Sequence, residues 1–398
     1  MQQVIVIGGG VIGLSSAWWL LEAGFGVTLL ERDSQVGSGA SFANGGQLSY
    51  RYVSPLADAG VPLKAMRWLF QKDAPLRFRP ELDVRQWRWL ASFLAHCNAS
   101  ANRETSSRLL ELGELSRQAL AELAIPKEEF SWREAGKLVI YRSRPALDVA
   151  IEKPDAGQLL SPAQCVRCEP ALGAVEAALA GGIFNPGEAV ADCHAFCLAL
   201  MRRIEGHPRF QALVQGDALA LETARGRLTG VTTELGRLTA DHYVLAAGIR
   251  SRDLAASAGI RLPLYPVKGY SLTAPIRPGD LAPQVSVTDF ERKILYARIG
   301  ERLRVAAMAD IVGDSLALDP VRVRALVQQV KATMPLAADY CQLATWAGLR
   351  PSTPSGAPLT GASRLANLWL NVGHGPLGFT FACGSARMLA GLMRDAGR

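Results

Sequence analysis

Between Gln2 and Leu21 the chain carries no charged residue, and inside that stretch a β-branched run, Val4-Ile5-Val6-Ile7, stops at Gly8-Gly9-Gly10 and gives way to a small-residue helix pattern from Val11 to Ala23. On length alone such a stretch admits a signal anchor or a membrane span. The triple glycine, with no basic flank before it and no cleavage site after it, excludes both readings and divides the segment into buried strand, tight turn and helix. Gly8, Gly10 and Gly13 form GxGxxG, and a second strand, Val27 to Leu30, ends in Glu31, 18 residues past Gly13. Each residue type has a mechanical reason. Gly8 permits the turn, Gly10 lets the backbone approach a pyrophosphate, and Gly13 lets the helix pack on the strand. The helix start, with Val11 and Ile12, offers free N–H groups to phosphate, and an acid near that spacing accepts hydrogen bonds from a ribose 2′-OH. The constellation predicts a dinucleotide site for NAD or FAD and disfavours NADP. It does not separate the first two.

The residues after Glu31 begin to separate them. Arg32 and Asp33 lead into a polar, small-residue loop through Ser38, Gly39, Ala40 and Ser41, which can wrap a bound cofactor where a nicotinamide dehydrogenase would continue with regular βαβ units. Downstream, Asp241 to Gly248 reads as another buried strand ending in Ala247 and Gly248, a second point of close approach. With 398 residues, 49% hydrophobic and 20% charged, the chain has material for two cores, which excludes disordered, collagen-like and disulfide-stapled classes. Seven cysteines without a secretory leader predict reduced thiols and a cytoplasmic location.

Three further groups of residues carry a resemblance. They are Ser41-Phe42-Ala43-Asn44-Gly45-Gly46-Gln47-Leu48-Ser49-Tyr50 with Gly60 to Ala65, then Tyr265-Pro266-Val267-Lys268-Gly269-Tyr270-Ser271-Leu272, and a tail from Trp346-Ala347-Gly348-Leu349-Arg350-Pro351 through Asn371 to Gly384. In these the sequence resembles the D-amino-acid oxidase and glycine oxidase group of FAD-dependent oxidoreductases, and within it the bacterial D-amino-acid dehydrogenases. The resemblance implies a mixed α/β fold: a Rossmann-like FAD domain assembled from three stretches, with an inserted substrate domain on a mostly antiparallel sheet. It also implies flavin reduction by an amino acid. Pro/Gly punctuation divides the chain into 1–58, 163–255 and 346–398 for FAD, and 59–162 and 256–345 for substrate. Two departures stand out. Pro145, Pro154 and Pro162 interrupt a region expected to be an amphipathic helix, and Pro376 and Phe379 replace the Thr and Trp of related dehydrogenases.

Hydride transfer from an amino-acid Cα needs the carboxylate fixed and the amine neutral. Arg350, before a proline at a strand end and where relatives carry the substrate arginine, is the expected carboxylate fork. Tyr50 and Tyr52 are candidates to complete that clamp or close the site. Tyr265 and Tyr270, bracketing Lys268, are second-rank pocket candidates. His374, between two glycines, is a candidate for a flavin hydrogen bond or amine deprotonation, with a backbone-shaping role favoured. The tail adds Gly375, Leu377, Gly378 and Thr380 to the cofactor-binding set. Cys165, Cys168, Cys193 and Cys197 have imperfect metal spacing; Asp192 reads instead as a helix N-cap, so no metal is expected. Cys383 reads as packing, hence noncovalent FAD.

Residues 61–108 hold nine Lys/Arg against four Asp/Glu and three Trp, Trp68, Trp87 and Trp89. Basic and aromatic residues together suit an anionic membrane face, which would bring the enzyme to a quinone acceptor at the inner side of the cell membrane. The alternative is a solvated face with its Trp in the core; nucleic acid is not expected. The activity expected is oxidative deamination of D-amino acids with a quinone or other non-oxygen acceptor. The alternatives are an oxidase, a dehydrogenase of cyclic or N-substituted amino acids such as D-proline, hydroxyproline, glycine or sarcosine, or a flavin-binding subunit of a larger complex.

Overall fold

The opening run forms the strand Gln3–Ile7 near the centre of a six-stranded sheet. In the computed structural model, which describes residues 1–53, 55–58, 60–61, 74–152 and 157–397, the order across this sheet is Leu359–Ala362, Leu368–Val372, His242–Leu245, Gln3–Ile7, Gly26–Glu31, Phe210–Gln215. All neighbours are parallel except the first pair. Val4 and Val6 face a core shared with the helices Val11–Glu22, Cys193–Glu205 and Gly378–Ala396. Ile5 and Ile7 face a second core under the three-stranded sheet of residues 218–238 and the helix Ser251–Ser257. Coverage on both faces is why the run is apolar at every position instead of alternating. Asp192 caps the helix Cys193–Glu205, accepting from the His194 and Ala195 N–H groups at 3.0 and 3.1 Å.

A nine-stranded sheet forms the second layer system, running Ala344–Ser352, Tyr265–Pro275, Arg302–Ile311, Ile294–Ile299, Ser286–Asp289, Lys137–Tyr141, Gly181–Asn185, Gln158–Leu160, with Leu76–Phe78 added to Arg302–Ile311. It is mostly antiparallel, as expected. The helix Pro320–Thr333 packs on it through Leu326 and Val330.

The boundaries read from punctuation do not coincide with the sheets. Gly181–Asn185 pairs with Lys137–Tyr141, and Ala344–Ser352 pairs with Tyr265–Pro275, so both strands lie in the larger sheet. Helix Ala99–Glu122 instead lies against helix Gly378–Ala396, where Ser116 Oγ accepts the Gly384 N–H at 3.0 Å. Pro145 and Pro162 do not interrupt helices; they start them, Arg144–Ile151 and Pro162–Cys168, because a proline in the first turn lacks only an N–H that would be unpaired anyway. Pro154 lies outside the described residues.

Candidate active site

The glycine turn is held by contacts that no larger residue could make. Gly8 has φ +109°, and a Cβ there would lie 2.7 Å from the Ala246 carbonyl oxygen. A Cβ on Gly13 would fall 1.7 Å from the Gly8 oxygen, so strand, turn and helix close on one another as the spacing predicted. Gly10 caps helix Val11–Glu22 without a side chain, leaving its end open. At the end of the neighbouring strand the Glu31 carboxylate accepts the Gly9 N–H through one oxygen and, at 2.9 Å, the Asp33 N–H through the other. These bonds fix the carboxylate at the wall of a cavity of about 2480 Å³ while leaving lone pairs for ribose hydroxyls. A Cβ on Gly9 would sit 2.9 Å from that carboxylate, a requirement the spacing did not reveal.

Of the expected cofactor residues, Gly8, Gly10, Val11, Ile12, Glu31, Arg32, Ser38, Gly39, Ala40, Ser41, Ala247, Gly248, Arg350, Gly375, Leu377 and Gly378 line this cavity. Gly13 and Thr380 do not. The Thr380 hydroxyl accepts the Ser49 N–H at 3.1 Å and so supports the loop behind the wall. Ser41 Oγ accepts the Val11 N–H at 3.1 Å, occupying one of the helix-start donors expected for phosphate. A cradle cleared of Cβ atoms, an acid on the second strand, and two helix starts on the cavity wall, at Val11 and at Gly378, fit FAD.

Arg350 lies half-buried on the same cavity, on Ala344–Ser352, in register with Val267. Its Nη1 donates to the Met308 carbonyl at 2.8 Å. Two local features make this possible. Met308 has φ +66° at a bulge where Lys268 and Tyr270 oppose Asp310 and Ala307, which turns its carbonyl toward the guanidinium. Gly269 supplies the space, since a Cβ there would lie 2.2 Å from Arg350 Nη2. No described carboxylate stands within ion-pair distance of Arg350. Burial lowers its pKa to about 10, with Asp310 opposing, so the group is charged at neutral pH and one edge of its fork is not neutralised by the protein. Beneath it, Asp310 receives Arg77 at 2.7 Å, Arg322 at 2.6 Å and the Tyr270 hydroxyl at 3.2 Å.

Tyr50 and Tyr52 both line the cavity. Tyr50 is largely buried in the core beneath it, and burial raises its phenol far above the usual range; burial also pushes Tyr52 up to about 12. Both phenols are therefore neutral hydrogen-bonding groups and not bases. Their backbone is held by Glu188, whose carboxylate accepts the Tyr50 and Arg51 N–H groups at 2.8 and 2.9 Å. Glu188 and Lys137, another cavity residue, were invisible to sequence reasoning because nothing local distinguishes them from surface charges.

One expected position is corrected. Tyr265 is not on the cavity: it is 1% exposed, tilted against Trp89, with its hydroxyl accepting from Gln86 Nε2 at 2.9 Å. His374 is on the cavity lining, but its ring is buried, with Nε2 3.0 Å from Ser385 Oγ, and burial lowers it to about 3. It is neutral across the physiological range, and its bridge to Ser352 shapes the backbone beside Arg350. In the basic aromatic stretch Trp89 is 4% exposed, stacked on Phe93, and donates to the Ser352 carbonyl at 2.8 Å, so it is a core residue; Trp87 is 48% exposed. Trp68, Lys64 and Arg67 lie outside the described residues. No described helix is long and apolar enough to cross a membrane.

Residues 3–392 match the family described as FAD dependent oxidoreductase. The chain belongs to that family. It is 49% identical over 397 residues to D-amino acid dehydrogenase 2 of Pseudomonas aeruginosa, covering 98% of this chain and 94% of that one. It is 43% identical to D-amino acid dehydrogenase 2 of Ralstonia nicotianae, covering 98% and 96%. The solved structure of glycine oxidase from Bacillus cereus matches with a TM-score of 0.73 at 20% identity, covering 100% of this chain and 96% of that one. L-proline dehydrogenase from P. horikoshii matches at 0.69 and 19%, covering 98% and 93%. The structural matches show a shared fold. The mixed α/β architecture and FAD dependence expected from the sequence both hold.

Proposed function

We propose that this flavoenzyme oxidises D-amino acids to imino acids, which water converts to 2-oxo acids and ammonia. The observation that carries the reading is Arg350: a charged, half-buried fork without a described acidic partner, on the cavity that also holds the glycine turn and Glu31. Such a group is suited to a carboxylate, and bidentate capture fixes the Cα it carries. Bound, noncovalent FAD supplies the hydride acceptor; the chain supplies placement. Arg350 holds the carboxylate, and Tyr50 and Tyr52 border the substrate as neutral donors. His374 takes no proton, since it is buried against Ser385. The curated relatives, named D-amino acid dehydrogenases, support the choice of substrate. The test is anaerobic mixing of the purified enzyme with a panel of D- and L-amino acids. Bleaching of the flavin by D-amino acids, with turnover on a dye but not on O2, is expected. No bleaching by any D-amino acid overturns the reading.

For the acceptor, one observation favours a quinone reached at a membrane surface. Leu82, Val84 and Trp87 are exposed together on one turn and helix start, beside Arg79, Arg85 and Arg88, of which Arg79 pairs with Glu81 and Arg85 with Asp83 and Asp253. Exposed apolar side chains with basic residues beside them suit an anionic interface. Trp89 has no part in it.

A further inference from the structure

Lys137 is 3% exposed and lies on the cavity wall, yet no described carboxylate is within ion-pair distance of it. A buried ammonium costs free energy unless each of its three N–H groups is used. Here Nζ donates to Gln47 Oε1 at 3.0 Å and to Ser49 Oγ at 2.9 Å, and it stands 4.2 Å from the centroid of the Tyr52 ring. All three partners belong to one short segment, 47–52. Gln47 is held from its other end as well, its amide nitrogen donating to Ser286 Oγ. Glu188 takes the backbone of the same segment through the Tyr50, Arg51 and Tyr52 N–H groups. Lys137 and Glu188 are themselves tied together, since the Gly136 N–H donates to the Glu188 carbonyl at 2.9 Å. Lys137 and Ser286 belong to the larger sheet, whereas the segment leads out of the Glu31 loop, so the contacts join the two halves of the cavity.

We propose that Lys137 is a positioning residue: its charged ammonium, with Glu188, clamps the segment 47–52 and thereby sets Tyr50 and Tyr52 as the wall that faces the substrate. Both hydrogen bonds of the ammonium and its ring contact go to that segment, so Lys137 acts through the tyrosines and not on the substrate. The clamp needs the charge. A neutral amine has one donor fewer and loses its attraction to the ring face. Burial lowers Lys137 to about 8, with Glu188 opposing, and Tyr52 and Glu188 are the titratable groups facing it. The segment therefore loosens as pH rises above about 8.

The activity arm of the test rests on the function proposed above; the exchange arm does not. Lys137→Met keeps the length and removes the charge, and Lys137→Arg restores a charge that does not titrate. Hydrogen exchange of the segment 47–53 is measured in the holoenzyme, with kcat/KM for a D-amino acid from pH 6 to pH 10. Lys137→Met is expected to lose at least about tenfold in protection of this segment and about tenfold in kcat/KM. The wild-type kcat/KM is expected to fall above pH 8, and Lys137→Arg to move that fall upward by a pH unit or more. Wild-type protection in Lys137→Met overturns the proposal. If that variant does not fold, an unchanged alkaline fall in Lys137→Arg overturns it instead. Failure of every D-amino acid to reduce the wild type removes the substrate reading but leaves the exchange comparison intact.

Discussion

Replacing Arg350 by lysine tests the carboxylate site at its narrowest point. Lysine keeps the charge but not the planar fork, and a substrate carboxylate held by two N–H groups would keep one. A charge-assisted hydrogen bond contributes about 1.5–3 kcal/mol, and about 1.4 kcal/mol corresponds to tenfold, so kcat/KM should fall by about 10- to 150-fold. A companion variant leaves the arginine in place. Gly269→Ala would put a Cβ 2.2 Å from Arg350 Nη2, and the guanidinium would have to leave the position where Met308 receives it. It should lose kcat/KM in the same direction, chiefly through KM if hydride transfer stays aligned once substrate binds. Both are measured anaerobically as the rate of flavin bleaching against D-amino-acid concentration, with FAD content determined alongside. Wild-type kcat/KM in Arg350→Lys would show that the carboxylate is held elsewhere. A silent Gly269→Ala would show that the fork's position does not matter. Because Arg350 is lowered only to about 10, neither loss should depend on pH between 6 and 8.

Four other outcomes follow from the structure. Gly9→Ala should displace the Glu31 carboxylate and, like Glu31→Ala, weaken FAD retention by about tenfold or more, read by titrating FAD into apoprotein; unchanged affinity refutes the role given to Glu31. His374 is depressed from about 6.5 in the unfolded chain to about 3 when folded, so the unfolded state binds the extra proton first. The stability it contributes is present above pH 6.5 and lost as pH falls toward 3, at a limit of about 1.4 kcal/mol per pH unit. Comparing denaturation midpoints of the wild type and His374→Gln from pH 7 to pH 4 should show the shallower acid loss in the variant, and parallel curves would contradict this. Asp310→Asn leaves Arg77 and Arg322 without their buried carboxylate and should cost about 3–5 kcal/mol in chemical denaturation, where a loss under 1 kcal/mol would show the network to be dispensable. Leu82→Glu with Trp87→Glu should abolish co-sedimentation with anionic vesicles at low salt, while wild type remaining in the supernatant would end the membrane reading.

The sequence by itself determined the parts of this protein whose causes are local. A β-branched run, a glycine turn, a helix start and an acid 18 residues on form one contiguous unit, and each step is dictated by backbone sterics or by which donors a helix end leaves free. Asp192 was legible as a cap for the same reason. Which strands share a sheet depends on partners far along the chain, so proline and glycine placed the joins at 163 and 346 when strand pairing puts Gly181–Asn185 and Ala344–Ser352 in the larger sheet. Tertiary structure alone decided the direction of each side chain. Tyr265 and Trp89 look as exposed in the sequence as Tyr52 and Trp87, yet they pack against one another, rings tilted, in the core because their strand and helix meet there. His374 borders the cavity, yet its ring is engaged by Ser385 for a similar reason: helix Gly378–Ala396 brings that hydroxyl to it. Lys137 carries no local signal at all. Its ammonium acquires a role only when folding places it among Gln47, Ser49 and Tyr52, out of water, where its charge must be satisfied by those three groups.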